Sequence, residues 1–415
     1  MKYFQVDNEI TELRKVMVHM PDEGILRVPP KKAVDLLFDD IVYLPIMQKE
    51  HKIFTDILRH QIGAENVLEA TKLLEEALGQ SELSREKLIA NLVEYEELPK
   101  AVISLLGKKD NIDLSEILIT GYENKSDHIL FDPIPNLLFT RDIAVTINDH
   151  LLITRAAKQA RSRENYLTRF IVYNHPLFSA FRQSGKIIDL NEVELFPPSK
   201  KGEPVSMEGG DVMILNKDYL LVGISERTNT HAFHSLKKYL FEQKIVSNVV
   251  LFNIPIDRSF MHIDTIITQI DEKRFVGYKP IIQDGNSSFV QVHSITGETQ
   301  YYATIKEFLW QEISTDIDFV WVGKGETPSQ EREQWTDGCN LLAIRPGVAI
   351  TYDRNENTIS SLQEKGYSII TAHEVLNTPL GTKLNNCIIT LPSAELSRAR
   401  GGPHCMSCPL DRLVS

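Results

Sequence analysis

One local pattern occurs four times along the chain and constrains its fold more than any other feature. In each copy two apolar runs of strand length flank a short polar turn that contains Asn, Asp, Lys or Pro-Gly, residue types that hairpin connections favour. Segments with apolar residues at helical spacing, such as 228–245, lie between the copies. The copies span residues 143–154, 211–224, 264–278 and 340–352. A single unit cannot bury its own apolar face, so the repetition predicts a closed, pseudo-symmetric α/β assembly. We expect a fifth unit to combine the early strand 15–20 with the C-terminal segment.

Residues 70–120 depart from this alternation of hairpins and helices. Their sequence predicts short amphipathic helices with no strand between them. Ser81, Ser84 and Asp113 are candidate helix caps. We interpret the segment as a small helical insertion with a structural role, and we assign residues 1–69 and 121–415 to the main α/β domain.

Charge and cysteine content exclude several kinds of partner. The formal net charge of −12 argues against non-specific binding to nucleic acid or to anionic membranes, since both require a basic surface. No apolar run reaches the roughly 18 residues of a membrane span, and the N-terminus carries no apolar signal core, so we expect a cytoplasmic protein. Four cysteines are too few for a disulfide scaffold in 415 residues, which predicts free thiols.

Cys405 lies in the loop RGGPHCMSCPL near the C-terminus. Gly401 and Gly402 permit positive φ values or a close approach to a ligand, so this loop can expose and activate a thiol. Two other interpretations remain: a buried thiol, as predicted for Cys387, or a redox or metal pair with Cys408. A single C-x-x-C supplies only half of a structural zinc site.

Acidic residues stand at the start of three of the hairpins. Asp142 follows FTR, Glu208 and Asp211 flank two glycines in MEGGDV, and His262 and Asp264 belong to MHIDT. Each has an ordinary explanation, such as a turn, a cap or a core histidine bonded to a carboxylate. In a ring of such units, however, they converge at one end of the central channel. Buried carboxylates need a cation. One histidine and one thiol suit magnesium or calcium poorly and leave zinc incomplete, whereas a planar guanidinium binds carboxylates in pairs.

Six motifs in this order resemble those of the arginine deiminases of the guanidino-group-modifying, amidinotransferase-like superfamily. They are PNLLFTRD, MEGGDV, GISERT, MHIDT, REQWTDG and RGGPHCMSCPL, and the stretch LLFDDIVYL (36–44) matches as well. The matches run from Val6 to Leu410. The resemblance implies a five-bladed α/β propeller, the pentein fold, with a helical insertion. It also implies hydrolysis of free L-arginine to L-citrulline and ammonia through an amidino-cysteine intermediate, without a metal or organic cofactor, in a protein that we expect to be a homo-oligomer.

The resemblance also implies a role for each matching residue. Cys405 is the expected nucleophile, His262 the general acid and base, and Glu208 the residue that orients the histidine, while Asp142 and Asp264 bind the guanidinium nitrogens. The expected substrate-binding residues are Arg161, Arg227, Arg400, Asn136 and Asp211, with the three arginines on the substrate carboxylate and Asp211 in support. The sequence departs from the family pattern at Ile143, where many relatives have a small residue or proline, and in an additional stretch at 373–392.

Other functions remain open on the sequence alone. The nearest alternative is another enzyme of the same fold, such as a citrulline, agmatine or methylarginine hydrolase or an amidinotransferase. The two aspartates expected at the reacting group of the substrate favour a cation over the neutral ureido group of citrulline. Three arginines around the substrate carboxylate, which we call the arginine clamp, favour free arginine over agmatine, because agmatine has no carboxylate. A non-catalytic arginine-binding protein ranks lower, and a zinc-binding structural protein ranks last.

Overall fold

The computed structural model describes residues 4–38, 40–123 and 128–414, so Asp39 of the 36–44 motif lies outside it. Strands are numbered in chain order. They are β1 (Leu13–Val18), β2 (Val67–Glu69), β3 (Tyr122–Glu123), β4 (His128–Ile129), β5 (Ala144–Ile147), β6 (His150–Ile153), β7 (Ile187–Asp189), β8 (Val212–Asn216), β9 (Tyr219–Ile224), β10 (Asn248–Asn253), β11 (Ile267–Asp271), β12 (Arg274–Gly277), β13 (Phe289–Ser294), β14 (Thr299–Tyr302), β15 (Asp318–Trp321), β16 (Leu342–Arg345), β17 (Val348–Tyr352), β18 (Ser368–Thr371), β19 (Cys387–Leu391) and β20 (Cys408–Arg412).

The α-helices are numbered in the same way. They are α1 (Leu44–Ile62), α2 (Ala70–Leu78), α3 (Glu82–Tyr95), α4 (Ala101–Gly107), α5 (Asn111–Thr120), α6 (Ser162–Asn174), α7 (Ser179–Ser184), α8 (Thr230–Glu242), α9 (Lys279–Ile282), α10 (Ile305–Phe308), α11 (Ser329–Trp335), α12 (Glu356–Glu364) and α13 (Ala372–Leu376).

The four predicted hairpins are confirmed, and each belongs to a unit of the same topology. β5 pairs antiparallel with β6, β8 with β9, β11 with β12, and β16 with β17. In each unit the second hairpin strand also pairs in parallel with a strand that follows a helix: β7, β10, β15 and β19, respectively. Asn148 and Gly347, with φ of 51° and 71°, form two of the tight turns. Most side chains of these strands are buried, which explains why their sequences read as continuous apolar runs.

The two ends of the chain form a further unit of this kind. β1 pairs antiparallel with β20 near the C-terminus and in parallel with β2, so the predicted pairing of the early strand with the C-terminal segment is confirmed. Among the described residues the strands form six separate sheets rather than one closed sheet.

Helices α2 to α5 form the predicted helical region. Ser81 caps α3 by accepting a hydrogen bond from the Ser84 N–H at 3.2 Å, as predicted. The predicted capping roles of Ser84 and Asp113 are wrong, because Asp110 caps α5 and accepts from the Asp113 N–H at 2.8 Å. Apolar side chains of these helices pack in one cluster with residues of β1, β5, β6 and α6. The helical region is therefore held by a shared core rather than by its connections alone.

The two departures from the family pattern lie in ordinary structural positions, although Ile143 directly follows the Thr140–Asp142 turn. Ile143 is buried in the apolar cluster shared with the helical region. The 373–392 stretch supplies most of α13 and all of β19, the strand that pairs with both β17 and β18, so part of it is a regular element of its unit. Its exposed part, around Leu380, packs near α1, where the Gly381 N–H donates to the His60 carbonyl at 3.1 Å.

Three short 3-10 turns lead directly into hairpins and bring the acidic motifs together. Thr140–Asp142 precedes β5, Gly209–Asp211 precedes β8, and Ile263–Thr265 precedes β11. A Cβ added to Gly209 would lie 2.0 Å from the Arg141 carbonyl oxygen, and one added to Gly210 would lie 2.6 Å from His262 Nδ1. Gly209 therefore lets its turn pack on the backbone of the Arg141 turn, and Gly210 leaves room for the His262 side chain. Among the described residues no helix is long and apolar enough to cross a membrane.

Candidate active site

A small cavity lies where these turns meet the Cys405 loop. Seven of the predicted site residues line it: Asn136, Asp142, Arg161, Arg227, His262, Arg400 and Cys405. Glu208, Asp211 and Asp264 are fully buried immediately behind its wall. The cavity volume is about 30 Å³, while a single water needs roughly 10–15 Å³ by the same kind of measure. The cavity is thus small for a molecule of arginine's size.

His262 is held by carboxylates on both sides of its ring. Its Nε2 lies 3.0 Å from Glu208 Oε2, and its Nδ1 lies 3.7 Å from Asp142 Oδ1. Burial alone would lower the pKa of His262, but Asp142, Glu208 and Asp211 together raise it to about 10. The imidazole is therefore protonated at neutral pH and can donate a proton.

Glu208 is the centre of the charge network around this histidine. Besides His262, its Oε2 accepts from Arg161 Nη1 at 2.9 Å and from Arg227 Nη1 at 3.5 Å. Burial alone would raise the pKa of Glu208, but these cationic groups hold it below its ordinary value. Glu208 is thus ionised and stabilises positive charge on the imidazole.

Arg161 lies against three buried carboxylates. Its Nη1 bonds Asp142 Oδ2 at 2.6 Å as well as Glu208, and its Nη2 bonds Glu164 Oε2 at 2.8 Å. Ligand atoms of Asp142, Glu208 and His262 all lie within 4.8 Å of one another, a spacing that would suit a metal ion. The Arg161 guanidinium already bonds both carboxylates of this set, Asp142 and Glu208. A cationic side chain of the protein itself therefore offsets their negative charge.

Cys405 is 5% exposed and faces acidic groups. Its Sγ lies 3.3 Å from Asp264 Oδ2 and accepts a hydrogen bond from Asn340 Nδ2 at 3.1 Å. Burial, with Asp264, Asp142 and Asp337, raises the pKa of the Cys405 thiol well above its ordinary value. The cysteine is therefore a neutral thiol in the free protein, and an incoming cation would favour the thiolate.

Asp264 connects the cysteine to a second buried network. His404 Nδ1 bonds Asp264 Oδ2 at 2.9 Å, and Arg141 Nη2 bonds Glu9 Oε1 at 2.7 Å on the far side of His404. Burial alone would raise the pKa of Asp264, but His404, His262 and Arg141 lower it. Asp264 thus remains a carboxylate beside the thiol and can accept from a cation.

Asp211 belongs to the Gly209–Asp211 turn and bonds the Ile263–Thr265 turn. It does not line the cavity. Its Oδ2 accepts from Ser225 Oγ at 2.6 Å, and its Oδ1 accepts from the Ile263 N–H at 3.0 Å. Burial raises its pKa to about 7 even though His262 and these hydrogen bonds lower it. Its contacts position the His262 turn against the Glu208 turn.

The remaining predicted residues surround the mouth of the cavity. Asn136 Nδ2 donates to the Leu36 carbonyl at 2.7 Å, which fixes the segment that places Leu37 over the cavity. Arg400 has a left-handed backbone with φ of 59°, and its guanidinium carbon lies 3.5 Å from the centre of the Trp335 ring. Arg227 contacts Glu208 and lies 3.9 Å from Met261 Sδ through Nη2.

Sequence reasoning missed several residues of the site. Arg141 and His404 stand inside the quoted motifs FTRD and GGPHC, and Asn340 stands two residues after WTDG, so their position carried a usable signal. Glu9 has no motif around it, and only the fold brings it to Arg141.

Comparison with known proteins places the chain in a family. The arginine deiminase family model matches residues 34–412. The chain is 33% identical over 432 residues to an arginine deiminase of Limosilactobacillus fermentum and 35% identical over 440 residues to one of Bacillus cereus, with 98% of each chain covered.

Solved structures share the fold at low identity. A complex of AgrE with ornithine and NAD+ matches with a TM-score of 0.53 and 12% identity, over 97% of this chain and 40% of the other. DDAH from Pseudomonas aeruginosa complexed with citrulline matches with a TM-score of 0.50 and 11% identity, over 96% and 99%. On the family model and the curated relatives, the chain belongs to the arginine deiminase family.

Proposed function

We propose that this protein hydrolyses free L-arginine to L-citrulline and ammonia. One observation carries the proposal: the thiol of Cys405, the imidazole of His262 and the carboxylate of Asp142 line one small cavity, with Glu208 and Asp264 buried behind its wall, in a chain of the arginine deiminase family. Carboxylates that bind the guanidinium nitrogens hold this poor electrophile in place and stabilise the tetrahedral state, in which its charge becomes localised.

The chemistry divides between Cys405 and His262. The substrate cation favours the thiolate, so the Cys405 thiol loses its proton to solvent; the sulfur then attacks the guanidinium carbon, and the C–N bond to one terminal nitrogen breaks. His262 donates a proton to that nitrogen, which leaves as ammonia. The resulting amidino-cysteine is then attacked by water, from which His262 removes a proton. Cleavage of the C–S bond releases citrulline, and the proton of the added hydroxyl passes to the sulfur, so the thiol is regenerated.

The carboxylates and arginines have separate proposed tasks. Asp142 and Asp264 bind the guanidinium, Glu208 keeps His262 charged and oriented, and Asp211 supports that histidine's turn. Arg227, Arg400 and Arg161 hold the substrate carboxylate together with Asn136. Arg161 also offsets the negative charge of Asp142 and Glu208. Its removal should therefore weaken binding of the substrate guanidinium as well as binding of the substrate carboxylate.

Direct assay separates this function from the alternatives. The purified protein is incubated with arginine, agmatine, citrulline and methylarginine, and citrulline, ornithine and ammonia are measured. Conversion of arginine alone supports the proposal. Preference for citrulline, agmatine or methylarginine would identify another guanidine or ureido hydrolase. Ornithine formation from arginine only when an amine acceptor is added would identify an amidinotransferase. Binding without turnover would identify an arginine-binding protein.

We also propose that the five repeated units close into a five-bladed α/β propeller with residues 70–120 as an insertion, leaving 1–69 and 121–415 as the catalytic domain. The pairing of β1 with β20 supports this arrangement, because it completes one unit from both ends of the chain. A homo-oligomer in the cytoplasm completes the proposal, and free thiols at all four cysteines are compatible with a reducing compartment. Light scattering after size-exclusion chromatography and cell fractionation test these two points.

A further inference from the structure

The described structure contains one buried asparagine whose side chain contacts both the backbone and the sulfur of the same cysteine. Asn340 follows α11, precedes β16, and has no exposed surface. Its Oδ1 accepts from the Cys405 N–H at 3.0 Å, and its Nδ2 lies 3.1 Å from Cys405 Sγ. The second Nδ2 hydrogen is directed to the Asp264 carbonyl at 3.1 Å.

These three contacts fix the orientation of the amide. The Cys405 N–H can only donate, so the oxygen of Asn340 must face it, and the Asp264 carbonyl can only accept, so the nitrogen must face that side. The amide nitrogen is therefore the group beside the sulfur. A Cβ added to Gly402 would lie 2.6 Å from Asn340 Oδ1, which shows how closely the cysteine loop packs on this side chain.

The sulfur has two different neighbours among these groups. A neutral thiol donates to Asp264 Oδ2 and accepts from Asn340 Nδ2. Loss of the thiol proton turns the first contact into a repulsion between two anions, while the second becomes a charge-assisted hydrogen bond. Asp142 and Asp337 also oppose negative charge on the sulfur. Asn340 is thus a donor that favours the thiolate and is present before any substrate arrives.

We propose that Asn340 is a catalytic hydrogen-bond donor that stabilises the Cys405 thiolate and fixes the direction of its attack. This inference rests on the proposed function, since it takes Cys405 as the nucleophile. Asn340 does not line the cavity, so it acts on the sulfur rather than on the bound substrate.

Two variants separate the donor from the scaffold. Asn340→Asp is nearly isosteric and keeps an oxygen for the Cys405 N–H, but it places a second oxygen beside the sulfur; Asn340→Ala removes both contacts. Asn355→Ala is the matched control, because Asn355 is equally buried and its side chain bonds Thr336 rather than the cysteine loop.

The first measurement needs no substrate. Iodoacetamide alkylates Cys405 as the sulfur displaces iodide and the thiol proton passes to the buffer, and peptide mass mapping follows the rate against pH. In Asn340→Asp the rate at pH 8 should fall at least tenfold. Its pH dependence should move up by about one to two pH units, the size expected when a charged acceptor loses a hydrogen bond. Asn355→Ala should alkylate at the unmodified rate.

The second measurement follows arginine turnover. Both Asn340 variants should lower kcat at least tenfold and change KM by less than about threefold. The kcat of Asn340→Asp relative to the unmodified protein should recover as the pH falls, because a protonated carboxyl regains a donor. A purely structural residue would give a ratio independent of pH.

Three results would overturn the inference. The first is an alkylation rate and a kcat of the Asn340 variants that match those of Asn355→Ala, and the second is a loss of kcat in Asn340→Asp that is equal at every pH. The third is failure of both Asn340 variants to fold, which would assign Asn340 a structural role. Turnover by Cys405→Ala would instead remove Cys405 as the nucleophile, and failure of the unmodified protein to convert arginine to citrulline would remove the proposed function, so these failures are distinguishable from the failure of this inference.

Discussion

Replacing Glu208 by Gln tests how the site keeps its histidine charged. Glu208 Oε2 accepts from His262 Nε2 at 3.0 Å, and Glu208 is one of three carboxylates that raise the pKa of His262 to about 10. A hydrogen bond to a charged group contributes roughly 1.5–3 kcal/mol, and 1.36 kcal/mol corresponds to one pH unit. The Glu208→Gln change should therefore lower the pKa of His262 by about one to two pH units.

The shift can be measured directly and in turnover. Histidine NMR on isotope-labelled protein, assigned with His262→Asn, reports the titration of the free site. In turnover, the alkaline limb of kcat should move towards neutral pH, because the acid that protonates the departing ammonia is lost earlier. The matched control is Glu164→Gln, which removes a buried carboxylate from Arg161 without a contact to His262. If both variants leave the His262 titration where it was, or shift it equally, the assigned role of Glu208 is refuted.

The same change has a pH-dependent effect on stability. The pKa of Glu208 is lower in the folded protein than its ordinary value of 4.5, so its contribution to stability is present above that pH and is lost as the pH falls below it. Glu208→Gln should therefore reduce the melting temperature at pH 7, and the difference should shrink in acid. A difference that is the same at pH 6 and at pH 3 would contradict this account.

Three further predictions concern the nucleophile, the cofactor and the substrate. Cys405→Ala should abolish citrulline formation, whereas Cys408→Ala should retain most of it, because the Cys408 thiol contacts the Ala144 carbonyl at 3.1 Å and not the cavity; full activity of the Cys405 variant would exclude it as nucleophile. Activity should survive dialysis against a chelator, since Arg161 already bonds both carboxylates of the metal-like set; loss that only added metal restores would contradict this. Arg227→Ala should lower kcat/KM for arginine roughly tenfold to a hundredfold and affect agmatine far less; equal losses for both substrates would refute the clamp.

The sequence predicted the repeated units well because their signal is local. Each hairpin combines two buried strands with a turn of fixed chemistry, and the helical spacing of 228–245 gave α8 within a few residues. Helix caps were less predictable, since Ser84 and Asp113 suit a cap as well as Ser81 and Asp110 do, and only backbone geometry decides between them.

The sequence indicated several residues that come together at the cavity, but not their protonation. Motif matches named residues that line the cavity, yet the high pKa of the Cys405 thiol follows from burial beside Asp264, Asp142 and Asp337, which the sequence places far apart. Likewise, the bonds of Arg161 to Asp142 and Glu208 depend on how three turns pack. These properties depend on how the turns pack in the folded chain rather than on any one motif.

Covalent catalysis at Cys405 is the central claim, and rapid-quench mass spectrometry tests it most directly. The protein is mixed with arginine, quenched in acid within milliseconds to seconds, and analysed intact and after digestion. The account predicts an amidino adduct on the Cys405 peptide that appears and decays at rates consistent with citrulline formation, and no adduct in Cys405→Ala. Citrulline formation at full rate by Cys405→Ala, or an adduct confined to another residue, would contradict it.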